Sequence, residues 1–161
     1  MNYRIGLGYD VHRLAVGETL WLGGILIPHE MGLIAHSDGD VLLHAICDAL
    51  LGAAKLRDIG FHFPDTSAEF KNIDSKLLLA QTYNLLKEKG YGLVNLDATI
   101  AAQRPRLKDY ISLMEAAIAG VLNVDVELIN IKATTTEKLG FEGREEGISA
   151  QAVVLIEKVR I

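Results

Sequence analysis

No apolar run in the sequence approaches the roughly 20 residues that a membrane-spanning helix needs. The opening stretch Met1-Asn2-Tyr3-Arg4-Ile5-Gly6 has no basic segment leading into a hydrophobic one, so neither a secretory leader nor a membrane partner is expected. The expected compartment is the cytoplasm, or the plastid stroma where a transit peptide has been removed. Cysteine occurs once, at Cys47 within an apolar stretch, which excludes an internal disulfide and suits a small core residue in a reducing compartment. Positive charge is not in excess. The formal net charge of −5 gives no general attraction to nucleic acid, so a bound phosphate must be held by a local cluster. Repeats, low-complexity tracts and long linkers are absent, and 161 residues fit one domain, 1–161, around one core. Several signatures are missing as well. Gly6-x-Gly8 lacks the third glycine of a dinucleotide fingerprint because Val11 holds that place, and there is no P-loop, HExxH or Gly-x-Ser-x-Gly, which excludes an ordinary kinase or dehydrogenase.

What is present is a clear alternation of periods. From Ile5 to Val11 the spacing predicts a strand with Ile5, Leu7, Tyr9 and Val11 on one face and Gly6, Gly8, Asp10 and His12 on the other. Gly23-Gly24 ahead of Ile25-Leu26-Ile27-Pro28 predicts a turn into a short strand. Ser37-Asp38-Gly39-Asp40 supplies capping side chains, so a helix is expected from near Asp38 to about Ala54. A second helix starts at Asp74-Ser75 with a stripe of Leu79, Tyr83 and Leu86, and finishes at Lys87, Lys89 and Gly90. Val94 to Ile100 reads as a half-buried strand; Ile111, Met114, Ile118 and Val121 form the stripe of a third helix ending at Asn123. Ile129 to Ala133 alternates again, and Ala150 to Ile156 is apolar enough to predict burial on both faces. The expected fold is α+β, a mixed four-stranded sheet with helices packed on one face. Its bare face calls for a cover that a symmetric oligomer could provide.

Asp10 and His12, two apart in a strand, project from the same face and can share one ion, though the same spacing also suits a polar pair at a strand end. His44 lies on the inward stripe of an apolar helix, where both ring nitrogens need partners; it is either a satisfied core histidine or a third ligand. Two imidazoles and a carboxylate with one coordination position open suit a catalytic zinc. Asp40 and Asp48 stand one helical turn to either side of His44 and could orient its ring. Thr134-Thr135-Thr136-Glu137 brings three hydroxyls and a carboxylate to a strand end, as a capped turn with Thr135 or Thr136 capping a short helix, or as a phosphate cradle with Glu137 holding a second cation. The turn-rich Asp58-Ile59-Gly60 and Phe63-Pro64-Asp65-Thr66-Ser67 offer carboxylates to polyol hydroxyls or simply form turns. Ala102-Gln103-Arg104-Pro105-Arg106-Leu107-Lys108 gathers three cations around a proline, as a nucleotide-receiving loop or a solvated one.

Taken in order, Gly8-Tyr9-Asp10-Val11-His12, Gly23-Gly24, the block from Ala35 through His36 to His44, Asp58-Ile59-Gly60, Phe63-Pro64-Asp65 and the block from Lys132 to Phe141 closely resemble the 2-C-methyl-D-erythritol 2,4-cyclodiphosphate synthase family. The resemblance spans essentially the whole chain. It implies zinc at Asp10, His12 and His44, and magnesium or manganese at Glu137 between the two phosphorus groups of a diphosphate. It implies transition-state stabilisation by His36 and Thr135. Substrate contacts are implied at Asp10, His12, His36, Ser37, Asp58, Ile59, Gly60, Phe63, Pro64, Asp65, Thr66 and Ser67. Further contacts fall at Thr134, Thr135, Thr136, Glu137, Phe141 and Arg144, with the loop Ala102, Gln103, Arg104, Pro105, Arg106, Leu107 and Lys108 as the cytidine pocket. Tyr9 replaces a phenylalanine of some relatives and Ser67 an aspartate of many, and neither change removes a metal ligand.

The resemblance further implies a homotrimer with sheets facing inward and active sites between subunits, acting on a small cytidine diphosphate substrate. Its reaction is lyase chemistry of the non-mevalonate isoprenoid route. The 2-phosphate of that substrate is already an anion, so it needs positioning and charge relief more than a base. Two rivals share these residues: a two-metal phosphohydrolase using water, and a trimer that holds an isoprenoid in its interior without catalysis. Retention of Asp10, His12, His44 and Glu137 argues against the second.

Overall fold

The computed structural model describes residues 2–159; Met1 of the opening stretch lies outside them, as do Arg160 and Ile161. The chain runs β1 (Tyr3–Val16), β2 (Trp21–Leu22), β3 (Ile25–Leu26), β4 (Met31–Ile34), α1 (Val41–Ala53), α2 (Ile59–His62), α3 (Ser75–Glu88), β5 (Tyr91–Ala101), α4 (Ile111–Leu122), β6 (Ile129–Thr134), α5 (Gly140–Gly143) and β7 (Gly147–Lys158). Five strands form one mixed sheet in the order β4-β1-β7-β5-β6, antiparallel except for the β5–β6 pair. Four strands were expected, and the fifth is β4. With only Met31 to Ile34 it is too short to show a period of two, and it pairs with the extension of β1 beyond Arg13.

The long helices lie on one face of this sheet. Ala98, Ile100, Ala150, Ala152, Val154 and Ile156 on the strands pack against Leu42, Ile46, Leu79, Met114 and Ile118 from the helices. Cys47 is completely buried among them, and burial pushes its thiol up to about 12, which fits an inert core residue. Among the described residues nothing covers the opposite face of the sheet. Ile5 is 72% exposed and Leu7 68%, with Tyr9, Val11 and Val153 exposed beside them. Burial of β7 on both faces is therefore not observed within the chain: Gln151 and Val153 are exposed because no layer lies over them.

The helix starts are fixed by side chains. Asp40, not Asp38, caps α1 by accepting from Leu43 N at 3.0 Å, and its carboxylate also accepts from Gly23 N at 2.9 Å and Gly24 N at 2.7 Å. Both glycines have positive φ in the tight turn between β2 and β3. Asp74 caps α3, and Asn123, with φ 54°, closes α4 in the left-handed conformation.

The position of α1 depends on the glycine face of β1. A Cβ on Gly8 would stand 1.8 Å from the Ala45 carbonyl oxygen, and one on Gly6 1.9 Å from that of Ala49. Gly8, Ala152 and Ala98 also stand opposite one another across β1, β7 and β5, so the row beneath α1 is uniformly small. Gly8→Ala is expected to push the α1 backbone away. The cost is about 1–3 kcal/mol or more for such overpacking, and in a chain of this size each kcal/mol lowers Tm by about 2–4 °C. A thermal melt checks this; an unchanged Tm would mean that α1 relaxes freely.

Candidate metal centre and active site

The glycine face of β1 that admits α1 also carries Asp10 and His12, next along the same face towards the strand's far end. The helix runs antiparallel to β1, since Ala49 lies over Gly6 and Ala45 over Gly8, so its first turn brings His44 above Asp10. Asp10 Oδ2 lies 3.0 Å from both His12 Nε2 and His44 Nδ1, and those two nitrogens are 3.0 Å apart. A tetrahedral zinc with bonds of ~2.0–2.1 Å would set its ligand atoms about 3.3 Å apart. The three atoms therefore already form one near-equilateral face for such an ion. The donor set of one carboxylate and two imidazoles fits zinc, with a fourth position left for water or phosphate.

The charges within this cluster are strongly coupled. Burial pushes the Asp10 carboxyl up, but hydrogen bonds and charge from His12 and His44 outweigh it and hold Asp10 well below the usual carboxylate range. His44 shifts in the opposite direction: burial lowers its proton affinity, yet the hydrogen bond and charge of Asp10, with Asp40 and Asp38 behind, raise it overall.

His44 is held by groups other than those the spacing suggested. Asp40 is committed to the turn and helix cap, and Asp48 accepts from Ile59 N at 2.7 Å. The ring instead meets Ser75 Oγ at 2.9 Å and Ser37 Oγ at 3.2 Å through Nε2. Sequence reading passed over Ser75, whose signal was a polar residue on the same stripe as Leu79, Tyr83 and Leu86.

A cleft opens in front of the triad. Asp10, His12, His36, Ser37, His44, Ile59, Gly60, Phe63 and Asp65 line it, together with Ala35, Phe70, Ile73 and Leu78, which the sequence did not single out. His36 Nε2 lies 3.2 Å from the Ser67 carbonyl oxygen and ties the turn containing Pro64 and Thr66 to the cleft wall. Asp58 caps α2 by accepting from Phe61 N at 2.9 Å, next to the Ile59 and Gly60 that line the cleft.

The other predicted residues gather elsewhere. Ala102, Gln103, Pro105, Arg106, Leu107 and Lys108 line a second cleft with Lys132, Ala133 and Thr135 at the C-terminal ends of β5 and β6. Ala102 N donates to the Thr134 carbonyl at 3.0 Å and Lys138 N to Gln103 Oε1 at 3.2 Å, which joins the basic loop to the threonine run. Arg104 reaches away to Glu30 and Glu145. Glu137 is exposed, takes a positive φ of 54°, and donates its N–H to Thr135 Oγ1 at 3.4 Å. Neither Thr135 nor Thr136 caps α5: Leu139 stands at that position without a side-chain cap, and the Thr136 hydroxyl donates to its carbonyl. Phe141 is half-buried in α5, and Arg144 pairs with Glu146 at 2.9 Å. Among the described residues none lines both clefts, so the two groups of predicted residues stand apart within one chain.

A one-sided α+β sheet bearing a candidate three-ligand metal site, where a strand meets a helix, defines the class. Within that class the chain belongs to the YgbB family, whose model matches residues 3–157. It is 63% identical over 98% of its length to a protein of Phocaeicola vulgatus named 2-C-methyl-D-erythritol 2,4-cyclodiphosphate synthase, covering 99% of that protein. A synthase of the same name from Parabacteroides distasonis is 64% identical, with 99% of each chain covered. Among solved structures, the bifunctional IspDF of Campylobacter jejuni superposes with TM-score 0.94 at 48% identity, over 97% of this chain and 42% of that one. A CDP complex of Plasmodium falciparum IspF gives TM-score 0.87 at 34% identity, over 99% and 98% of the two chains.

The two proton shifts set a pH signature for the metal-free protein. His44, raised, contributes stability that is complete below 6.5 and is lost as pH rises through its folded value. Asp10, lowered, contributes stability that is present above 3.8 and is lost only as pH falls through its folded value. The Tm advantage of metal-free wild type over Asp10→Asn is expected to be greatest between 3.8 and 6.5 and to shrink on the alkaline side. A gap that widens with rising pH would contradict the coupling.

Proposed function

We propose that the chain, acting as one domain over residues 1–161, converts 4-diphosphocytidyl-2-C-methyl-D-erythritol 2-phosphate into 2-C-methyl-D-erythritol 2,4-cyclodiphosphate and CMP. This is the phosphorus–oxygen lyase step of non-mevalonate isoprenoid synthesis. The observation that carries the reading is the near-equilateral Asp10, His12 and His44 triad, open to a cleft, in a chain 63% identical to synthases of that name. Asp10, His12 and His44 would hold zinc, and Glu137 magnesium or manganese. Bound there, such cations supply charge neutralisation for the phosphates. The 2-phosphate oxygen attacks the distal phosphorus of the diphosphate, the new P–O bond closes the ring, and the bond to CMP breaks, so CMP leaves as an anion. No protein base is required because the nucleophile is already ionised. His36 and Thr135 would donate hydrogen bonds to oxygens that gain charge, and Ser37 and Asp65 would orient the polyol.

The nucleotide fits the second cleft. Its wall of Arg106, Lys108 and Lys132 offers positive charge in a chain of net charge −5, and CDP is the ligand named for the Plasmodium falciparum relative. The two clefts are joined most simply if the basic loop of one subunit faces the triad of the next. A homotrimer with inward sheets would do this and would cover Ile5, Leu7 and Tyr9. The same residues would line an apolar interior suited to an isoprenoid.

Assay of CMP release, with and without chelator, tests the activity; retention of full turnover after metal removal would refute it. Glu137→Gln keeps size and removes the anionic ligand, so turnover should fall by about 100-fold or more while melting and zinc content are unchanged. Added magnesium should recover part of the rate. Near-normal turnover at low magnesium would remove Glu137 from the metal site. Sedimentation should give one species of three chain masses, and a fully active monomer would contradict shared sites.

A further inference from the structure

The mechanism makes no use of Ser75 and Asp38, yet Ser75 is completely buried at the start of α3 with its hydroxyl against the metal-facing histidine. Their hydrogen bonds have one consistent direction. Asp38 Oδ1 accepts from Asp40 N at 3.1 Å and from the Ser75 hydroxyl, and Asp38 Oδ2 accepts from Ser75 N at 2.9 Å. Every one of these partners is a donor, so the Asp38 carboxylate is satisfied as an acceptor, and the Ser75 proton points towards it. Ser75 Oγ then has only a lone pair to offer His44 Nε2, 2.9 Å away, so Nε2 carries a hydrogen and donates it to Ser75. With Nε2 committed in this way, Nδ1, 3.0 Å from Asp10 Oδ2 and His12 Nε2, is the nitrogen that faces the triad.

We propose that Asp38 and Ser75 form a positioning relay that holds the His44 ring through Nε2 so that Nδ1 is presented to the metal. The proposal rests on the reading that a divalent cation occupies the triad, and it adds two residues that act through a ligand without touching the ion. Ser37 does not substitute for Ser75. Its hydroxyl is farther from Nε2, at 3.2 Å, and it also accepts from Gly39 N at 3.2 Å. Asp38 further ties the Ser37-bearing loop to the head of α3, so the ligand helix α1 and its neighbour α3 are registered at the site by one carboxylate.

Ser75→Ala removes one oxygen from a buried position and leaves the backbone N–H bond to Asp38 in place. In protein labelled with 15N-histidine, wild type should show the His44 Nε2–H in slow exchange with water, and Ser75→Ala should exchange it faster. Chelator competition should give a zinc dissociation constant about 10–100-fold weaker for Ser75→Ala, the usual range for losing the outer partner of a metal-bound histidine. Ser37→Ala should keep the slow Nε2–H exchange and the wild-type zinc affinity. Thermal melts confirm that the variants are folded. Unchanged Nε2–H exchange with unchanged zinc affinity in Ser75→Ala would overturn the relay, as would loss of the slow exchange in Ser37→Ala instead. Failure of wild type to bind zinc would refute the metal reading, and the exchange spectra would still decide the relay.

Discussion

The close approach of α1 to the glycine face of β1 is the constraint on which the rest of the molecule depends. Four residues of helix advance about 6 Å and two residues of strand about 6.6 Å. The pairings of Ala49 with Gly6 and Ala45 with Gly8 therefore repeat nearly in step. At the next repeat the strand offers Asp10, and the helix, one residue before Ala45, offers His44. Helix packing and the geometry of the triad are thus set by one register. A bulkier residue at either glycine would disturb both, because the obstructing atoms are backbone carbonyls with nowhere to rotate.

A second dependency runs through carboxylates used as fasteners. Asp40 joins the β2–β3 turn to the start of α1, Asp38 joins the loop before α1 to the start of α3, and Asp48 joins α1 to the start of α2. Each accepts backbone N–H groups that helix ends or turns leave without partners. For Asp40 the cost of full burial pushes its pKa upward, and the three amides answer it only in part. These aspartates hold the frame, while Asp10 pairs with His12 and His44 at the cleft.

Much of this was legible in the sequence. The periods of two and of 3.6 located α1, α3, α4 and most of the sheet, and the ordered motifs named the triad that the structure brings together. Residue spacing could not reveal what Asp38, Asp40 and Asp48 bind, because their partners are amides of distant segments with no side-chain signature. Ser75 was hidden for the same reason: its role comes from His44, 31 residues away. Strand β4 carried too few residues to alternate. The apolar run in β7 misled because hydrophobicity reports that a face is to be covered without saying whether the cover belongs to the same chain.

A sheet can recruit another chain along its edge or through its face, and here the two routes are very unequal. One edge is β4, four residues long, and the other is β6, six residues long and carrying the Lys132–Asp97 ion pair on its neighbouring strand. Short, charged borders give an incoming strand little ladder to extend. The broad surface of Ile5, Leu7, Tyr9 and Val153 is apolar over β1 and bounded at β5 by Asp97, which stands opposite Val153. Open-ended strand addition, the route to fibres, is thereby disfavoured at both borders.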